Sequence, residues 1–178
     1  MSHNIYFKHH HHSTQTPVSL NEVKNFLNIE EDFLEQDNLL HNLLNIATEY
    51  AEWYTEKSLM QREWNMVCVG QIPSKLYLLY GPIIKVTKIT CENNPIFSEE
   101  NYHIENIGGY IEFYNLHYDI KINIDYIAGH TSTDDIPETI KEGILHHISA
   151  VYHKRNDTNY ITHIKKLYEQ FREVRLTL

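Results

Sequence analysis

The chain is short of the features that would carry chemistry or hold it in a membrane, and each shortage excludes something. Only two of its 178 residues are cysteines, Cys68 and Cys91, and they form no C-x-x-C pair. Both fall in runs rich in β-branched residues, where a reduced thiol behaves as a small buried hydrophobe; a disulfide between them is the alternative. No window approaches the roughly 18 apolar residues of a membrane span, and no charged-then-apolar leader is present, so a protein working in the cytoplasm is expected. Basic residues are also few, 15 Lys and Arg against 24 Asp and Glu, for a formal charge of −9. Binding phosphate needs clustered cations, so a protein that holds DNA by its whole surface is excluded.

Catalytic motifs are missing as well. There is no G-x-S-x-G, no H-E-x-x-H and no glycine-rich loop leading into a helix, which removes the usual serine nucleophile, zinc and nucleotide-phosphate arrangements. Adjacent acids occur as Glu30-Glu31-Asp32, Glu99-Glu100 and Asp134-Asp135; such runs read as solvated caps and loops. Thirteen histidines invite a metal reading, but His3 and His9 to His12 crowd the N-terminal stretch. His146 and His147 are neighbours on one helix and point about 100° apart, so they cannot share a ligand face. Glu142 and His146 stand four apart, with no second pair of matching spacing. No catalytic, cofactor or metal residues are therefore expected. A metal-dependent enzyme using His146, His153 or His163 is kept as a minor reading.

What is present is a patterned globular chain. It is 42% hydrophobic and 22% charged, a balance that suits a soluble globular domain, and it holds 13 tyrosines. A tyrosine pairs an apolar ring with a polar tip, which suits surfaces buried only on assembly. Residues 1–17 lack hydrophobic periodicity and read as a flexible His-containing arm, either a tag remnant or a natural segment. Ser19 and Glu22 make a capping box, followed by the stripe Leu20, Val23, Phe26, Leu27. A second helix start at Asp32 and Glu35 leads into Leu40, Leu43, Leu44, Ala47, Tyr50, Ala51 and Tyr54 at helical spacing, with Glu49, Glu52 and Glu56 on the expected exposed side.

From Glu63 the period shifts to that of strands. Runs at 63–69, 75–80, 85–91, 102–105, 110–114 and 119–126 are expected strands, with Gly108-Gly109 as a hairpin turn. Ile120, Ile122, Ile124 and Tyr126 alternate with Lys121, Asn123 and Asp125, the pattern of a sheet with one wet face. Pro137 suits the first position of a helix carrying Ile140, Ile144, Leu145, Ile148, Val151 and Tyr152. A last helix puts Ile161, Ile164, Tyr168 and Phe171 in register and Lys165, Lys166 and Arg172 on its other face. The segment 19–63 holds three basic and ten acidic residues, −7, while 138–178 holds seven basic and five acidic, +2. Ends of opposite balance can meet in neighbouring copies, or can be two ordinary solvated faces.

The expected fold class is α+β: N-terminal and C-terminal helices packed together, with an antiparallel β-sheet region inserted between them. The expected organisation is an arm at 1–17, a domain at 18–157 (helices 19–56, strands 63–127, helix 137–155) and a C-terminal helix or tail at 158–178.

Taken in order, five segments resemble the tailed-phage head–tail connector, or adaptor, family. They are VSLNEVKNFLNI from Val18 to Ile29, with Lys24 and Leu27; Ala47 to Thr55, with Tyr50 and Glu52, followed by Leu59 and Trp64; Lys75 to Thr90, with Gly81-Pro82; Ile124 to Gly129, with Tyr126; and Ile136-Pro137 through Tyr152 and Arg155. The sequence departs from the family pattern at Glu56, where glycine is usual, at Leu79, where a proline is usual, and at Gly129-His130. The resemblance implies a non-enzymatic structural subunit of a phage or prophage connector without cofactors. Its partners would be about twelve copies of itself in a ring, the portal protein, a tail or stopper protein, and DNA passing through the channel without sequence-specific binding. It would be found in the bacterial host cytoplasm during assembly and then in the virion. The helices would make the subunit contacts and the tyrosine-rich strand region would meet the next layer of the tail. A small protein-binding or regulatory module that does not form rings is the alternative from another class.

Overall fold

A computed structural model of the chain describes residues 4–9, 15–92, 98–106, 108–114, 120–153 and 158–172. Chain order runs β1 (Asn4–His9), α1 (Leu20–Leu27), α2 (Asp37–Thr55), β2 (Arg62–Gly70), β3 (Lys75–Tyr77), β4 (Ile83–Glu92), β5 (Tyr102–Glu105), β6 (Tyr110–Phe113), β7 (Ile120–Ala128), α3 (Glu138–Tyr152) and α4 (Thr158–Glu169). The class is α+β, as expected, with four helices and two antiparallel sheets among the described residues. The chain divides into two compact units: Met1–Ser13 with Gln61–Gly129, and Thr14–Met60 with His130–Leu178.

The helical unit is built on apolar stripes. Leu40, Leu43, Leu44, Ala47 and Ala51 of α2 bury against Ile140, Ile144 and Ile148 of α3, Val23 and Leu27 of α1, and Ile164 and Tyr168 of α4. The N- and C-terminal helices thus form one core, and the strand region is inserted between Met60 and His130. The chain leaves and re-enters this unit side by side, for Met60 and His130 form a parallel bridge and the His130 N–H donates to the Leu59 carbonyl at 3.3 Å. The Ser19–Glu22 capping box is present, as read.

Two details of the helices differ from expectation, and a third accounts for a departure from the resembling pattern. The second helix starts at Asp37, not Asp32; Asp32 and Glu35 lie in the connecting loop, which is organised by Lys24 as described below. Pro137 is the residue before the first helical one, with its extended backbone leading into α3. Glu56 ends α2 in the left-handed conformation, φ +56°. That is why the resembling pattern has glycine there, since a side chain at positive φ costs about 1–2 kcal/mol.

The strand unit holds a four-stranded sheet, order β1-β2-β7-β4, and a three-stranded sheet, order β3-β6-β5. Their shared core includes Trp64, Met66 and Cys68 from β2, Leu76 from β3, Ile111 and Phe113 from β6, and Ile122, Ile124 and Tyr126 from β7. The alternation read for β7 is realised: Ile122, Ile124 and Tyr126 are buried, while Lys121, Asn123 and Asp125 are half-exposed. The β5–β6 turn passes through Gly109 at φ +61°, a conformation open to glycine. Both cysteines are free thiols; burial pushes the Cys68 thiol up to about 11. One correction is plain. Asn4–His9, expected in a flexible arm, pairs antiparallel with Trp64–Val69 as an edge strand. Ile5 and Phe7 stand two apart opposite Cys68 and Met66, an alternation too short to stand out beside the run of histidines that follows it.

Candidate subunit interface

Among the described residues, no group of three His, Cys, Asp or Glu side chains is placed to hold a metal ion. No described helix is long and apolar enough to cross a membrane. His146 and His147 diverge as the helical geometry requires. His147 lies edge-on to Tyr50 at 5.0 Å, whereas His146 meets Phe26, His163 and the Tyr160 hydroxyl. Glu142 comes only to 3.6 Å of His146. Such a set of ring contacts packs helices together and presents no nucleophile.

The surface of the helical unit is more informative. On the side of α2 turned from its core stripe, Leu39, Ile46 and Trp53 are 49%, 54% and 65% exposed. Seven-residue spacing repeats nearly the same angular position on a helix, so these three form one apolar line. Asn42 and Glu49 flank it, both exposed. Glu49, Glu52 and Glu56 do not share the exposed acidic side that the sequence predicts. Glu52 is buried and its Oε1 accepts from the Leu59 backbone N–H at 2.8 Å, while Glu56 is half-buried at the helix end. The core stripe takes so many apolar residues of α2 that the second stripe is not distinguishable in the sequence. On α4, Ile161 is 53% exposed, and the exposed Lys165 follows one turn later on the same edge, while Arg172, past the helix end, lies over the Tyr54 ring at 5.6 Å. Ile164 and Tyr168 face inward.

The residues singled out by resemblance prove to be joints of the fold. Lys24 is 1% exposed; its Nζ donates to the carbonyls of Glu31 and Phe33 at 2.9 and 3.0 Å and lies 2.7 Å from Asp37 Oδ1. Leu27 is in the helical core, and Tyr50 packs against Trp53, Tyr54 and Tyr168. The Tyr152 hydroxyl donates to Gln36 Oε1 at 2.7 Å, tying the end of α3 to the start of α2. In the strand unit, Trp64 stacks on Tyr80 with centroids 4.1 Å apart, and the Tyr126 hydroxyl donates to the Leu79 carbonyl at 2.8 Å. The Gly129 N–H, at φ +109°, donates to the Pro82 carbonyl at 2.9 Å. Pro137 leads into α3, and Arg155 lies outside the described residues.

Close packing between α3 and α4 explains one further residue. A Cβ added at Gly143 would collide with Cε1 of Tyr168 and stand 2.8 Å from its Cζ. The Tyr168 ring is fully buried, and burial raises its hydroxyl pKa first, with Tyr50 adding to the effect. Burial also lowers the His147 and His130 pKa values below the ordinary 6.5; for His130, Lys57 adds to the lowering and Asp135 opposes it. The unfolded chain then binds protons more readily than the native one. The stability due to the neutral rings is complete above about pH 6.5 and is lost as pH falls through the unfolded value toward the lower native ones. The urea midpoint of the helical unit is expected to be lower at pH 5.5 than at pH 7.5, and His147→Leu should flatten that difference.

Residues 17–103 match the family model described as phage gp6-like head-tail connector protein. No curated protein matches. Among solved structures, the neck of an empty gene transfer agent (GTA) particle computed with C6 symmetry has a similar chain, with TM-score 0.75 and 17% identity over 96% of this chain and 97% of that one. A chain of the native GTA virion matches at TM-score 0.72 and 17% identity, covering 96% of each chain. One from the native GTA neck computed with C12 symmetry matches at 0.64 and 18%, covering 96% and 97%.

Proposed function

We propose that this chain, a structural subunit of the head–tail connector type, works as one copy in a ring that joins the portal of a phage-like particle to its tail and extends the DNA channel. The family-model match over residues 17–103 carries this reading, and the shared fold along nearly the whole chain supports it beyond that segment. Six- and twelve-fold symmetry of the neck structures it resembles supports a closed ring over an open filament. The place of work would be the host cytoplasm during assembly and the particle neck afterwards. No catalysis is proposed, because the matched family is one of structural connectors and the clustered polar groups serve packing.

The formal charge of −9 fits a wall past which DNA slides. A channel that gripped phosphates through many cations would hold each one it neutralised and slow the passage of the duplex. Electron microscopy of the purified full chain, alone and with its portal, tests the proposal. Rings in either sample are the expected result. A monomer that ignores the portal at high concentration would overturn it.

A further inference from the structure

We infer that the Leu39–Ile46–Trp53 line on α2 of one copy seats the Ile161–Lys165 edge of α4 on the next copy, so that the helical unit alone supplies both sides of the contact between ring neighbours. This rests on the ring reading above and names the surfaces that close it.

Single exposed apolar residues are ordinary on any soluble protein. Three in line on one helix face are different, and the most exposed is Trp53, at 65%. Tryptophan is among the residues that most often anchor interfaces. The line spans two seven-residue intervals, about 21 Å at 1.5 Å per residue, which is the reach of a helix packed along its length. Seven-residue spacing is also the seam that a second helix fits.

The occupant follows from symmetry and charge. A ring of more than two copies needs a head-to-tail contact between two unlike, complementary faces. The helical unit carries two such faces. Beside the α2 line the exposed charge is Glu49. One turn from Ile161 is the exposed Lys165, with Lys166 beside it, and Glu169 is the one acid in the described length of α4. The stem of Lys165 can lie along apolar surface while its ammonium reaches a carboxylate. The segment balances of −7 for 19–63 and +2 for 138–178 run the same way. A standard interface removes about 800 Å² per partner; the helix pair would form its apolar centre, with polar neighbours as the rim.

The test uses the full chain with Ile46→Asp, Trp53→Ala, Glu49→Lys, Lys165→Glu and the Glu49→Lys/Lys165→Glu pair. Ring formation is followed by mass photometry and electron microscopy, alone and with portal, and folding by circular dichroism. Ile46→Asp and Trp53→Ala are expected to melt like the parent but to raise the concentration for ring formation at least 30-fold, roughly the effect of losing an interface anchor. Each single charge reversal should weaken assembly a few-fold, with the pair restoring it. If the parent forms rings and folded Ile46→Asp forms them equally well, the inference is overturned and the ring reading stands. Ile46→Asp rings that form normally but no longer bind portal would assign the face to portal and also overturn it. A parent that forms no ring under any of these conditions overturns both.

Discussion

Replacing Lys24 with alanine is expected to destabilise the helical unit by about 3 kcal/mol, near the low end for breaking a buried ion pair. The reason is the position of the ammonium. It is 1% exposed and meets two backbone carbonyls, those of Glu31 and Phe33, together with the Asp37 carboxylate. Those three acceptors lie in the α1–α2 loop and the first turn of α2, a stretch without other regular structure. Removing the donor leaves the carbonyls without it and Asp37 without its cation. Asp37 Oδ1 is buried but the side chain as a whole is 27% exposed, so the carboxylate hydrates in part, which keeps the cost below the full penalty for a buried orphan charge. For a chain of this size the melting temperature should fall by roughly 6–12 °C. Lys24→Met separates the causes, because it keeps the apolar stem and loses only the charge. If Lys24→Met melts like the parent, the ammonium does not hold the loop.

Trp64→Ala is expected to cost the strand unit about 3–5 kcal/mol, as large-to-small core changes at aromatic residues do. Trp64 is 6% exposed, central in β2, and its ring lies nearly parallel to that of Tyr80, at 6°. Tyr80 adopts φ +59°, a left-handed backbone that costs a non-glycine residue about 1–2 kcal/mol. The stack offsets that strain, so losing it should loosen the whole Leu78–Pro82 turn and the Tyr126 hydroxyl's bond to Leu79. Arg62, 5.9 Å from the Trp64 ring, loses a cation–π contact as well. Denaturant unfolding followed by near-ultraviolet circular dichroism reads the change. Trp64→Phe should recover more than half of the loss, because an aromatic face remains for Tyr80. Equal losses in the two variants would mean that volume, not stacking, sets the cost.

Tyr126, Gly129 and Tyr152 each close a contact between segments far apart in sequence, whereas Lys24 and Trp64 fasten nearer neighbours, the α1–α2 loop and the Tyr80 turn. Their types are constrained by geometry: an ammonium that reaches two carbonyls, a flat ring, a hydroxyl at a fixed reach, a positive φ.

Much of the architecture was legible from local pattern alone. The core stripes of α2 and α3, the capping box at Ser19, the alternation in β7 and the glycine turn before β6 each follow from a period or a local stereochemical demand. So did the α+β class, because a 3.6-residue period gives way to a two-residue one and returns. Four things needed the tertiary structure. The pairing of Asn4–His9 with β2 joins segments far apart in the chain, and the short Ile5–Phe7 alternation does not by itself name the partner strand. The start of α2 at Asp37 follows a loop whose carbonyls and first helical acid are gathered on the Lys24 ammonium, a contact no local pattern shows. Glu52 looks like any surface acid until Leu59 is brought back to it by the turn after α2. The Leu39–Ile46–Trp53 line reads as part of a well-filled helix until the core has taken Leu40, Leu43, Leu44, Ala47 and Ala51, and only then is it left facing outward. Sequence determined which elements form, because period and capping act within a few residues. Long-range contacts decided which groups remain exposed for a neighbour to bury.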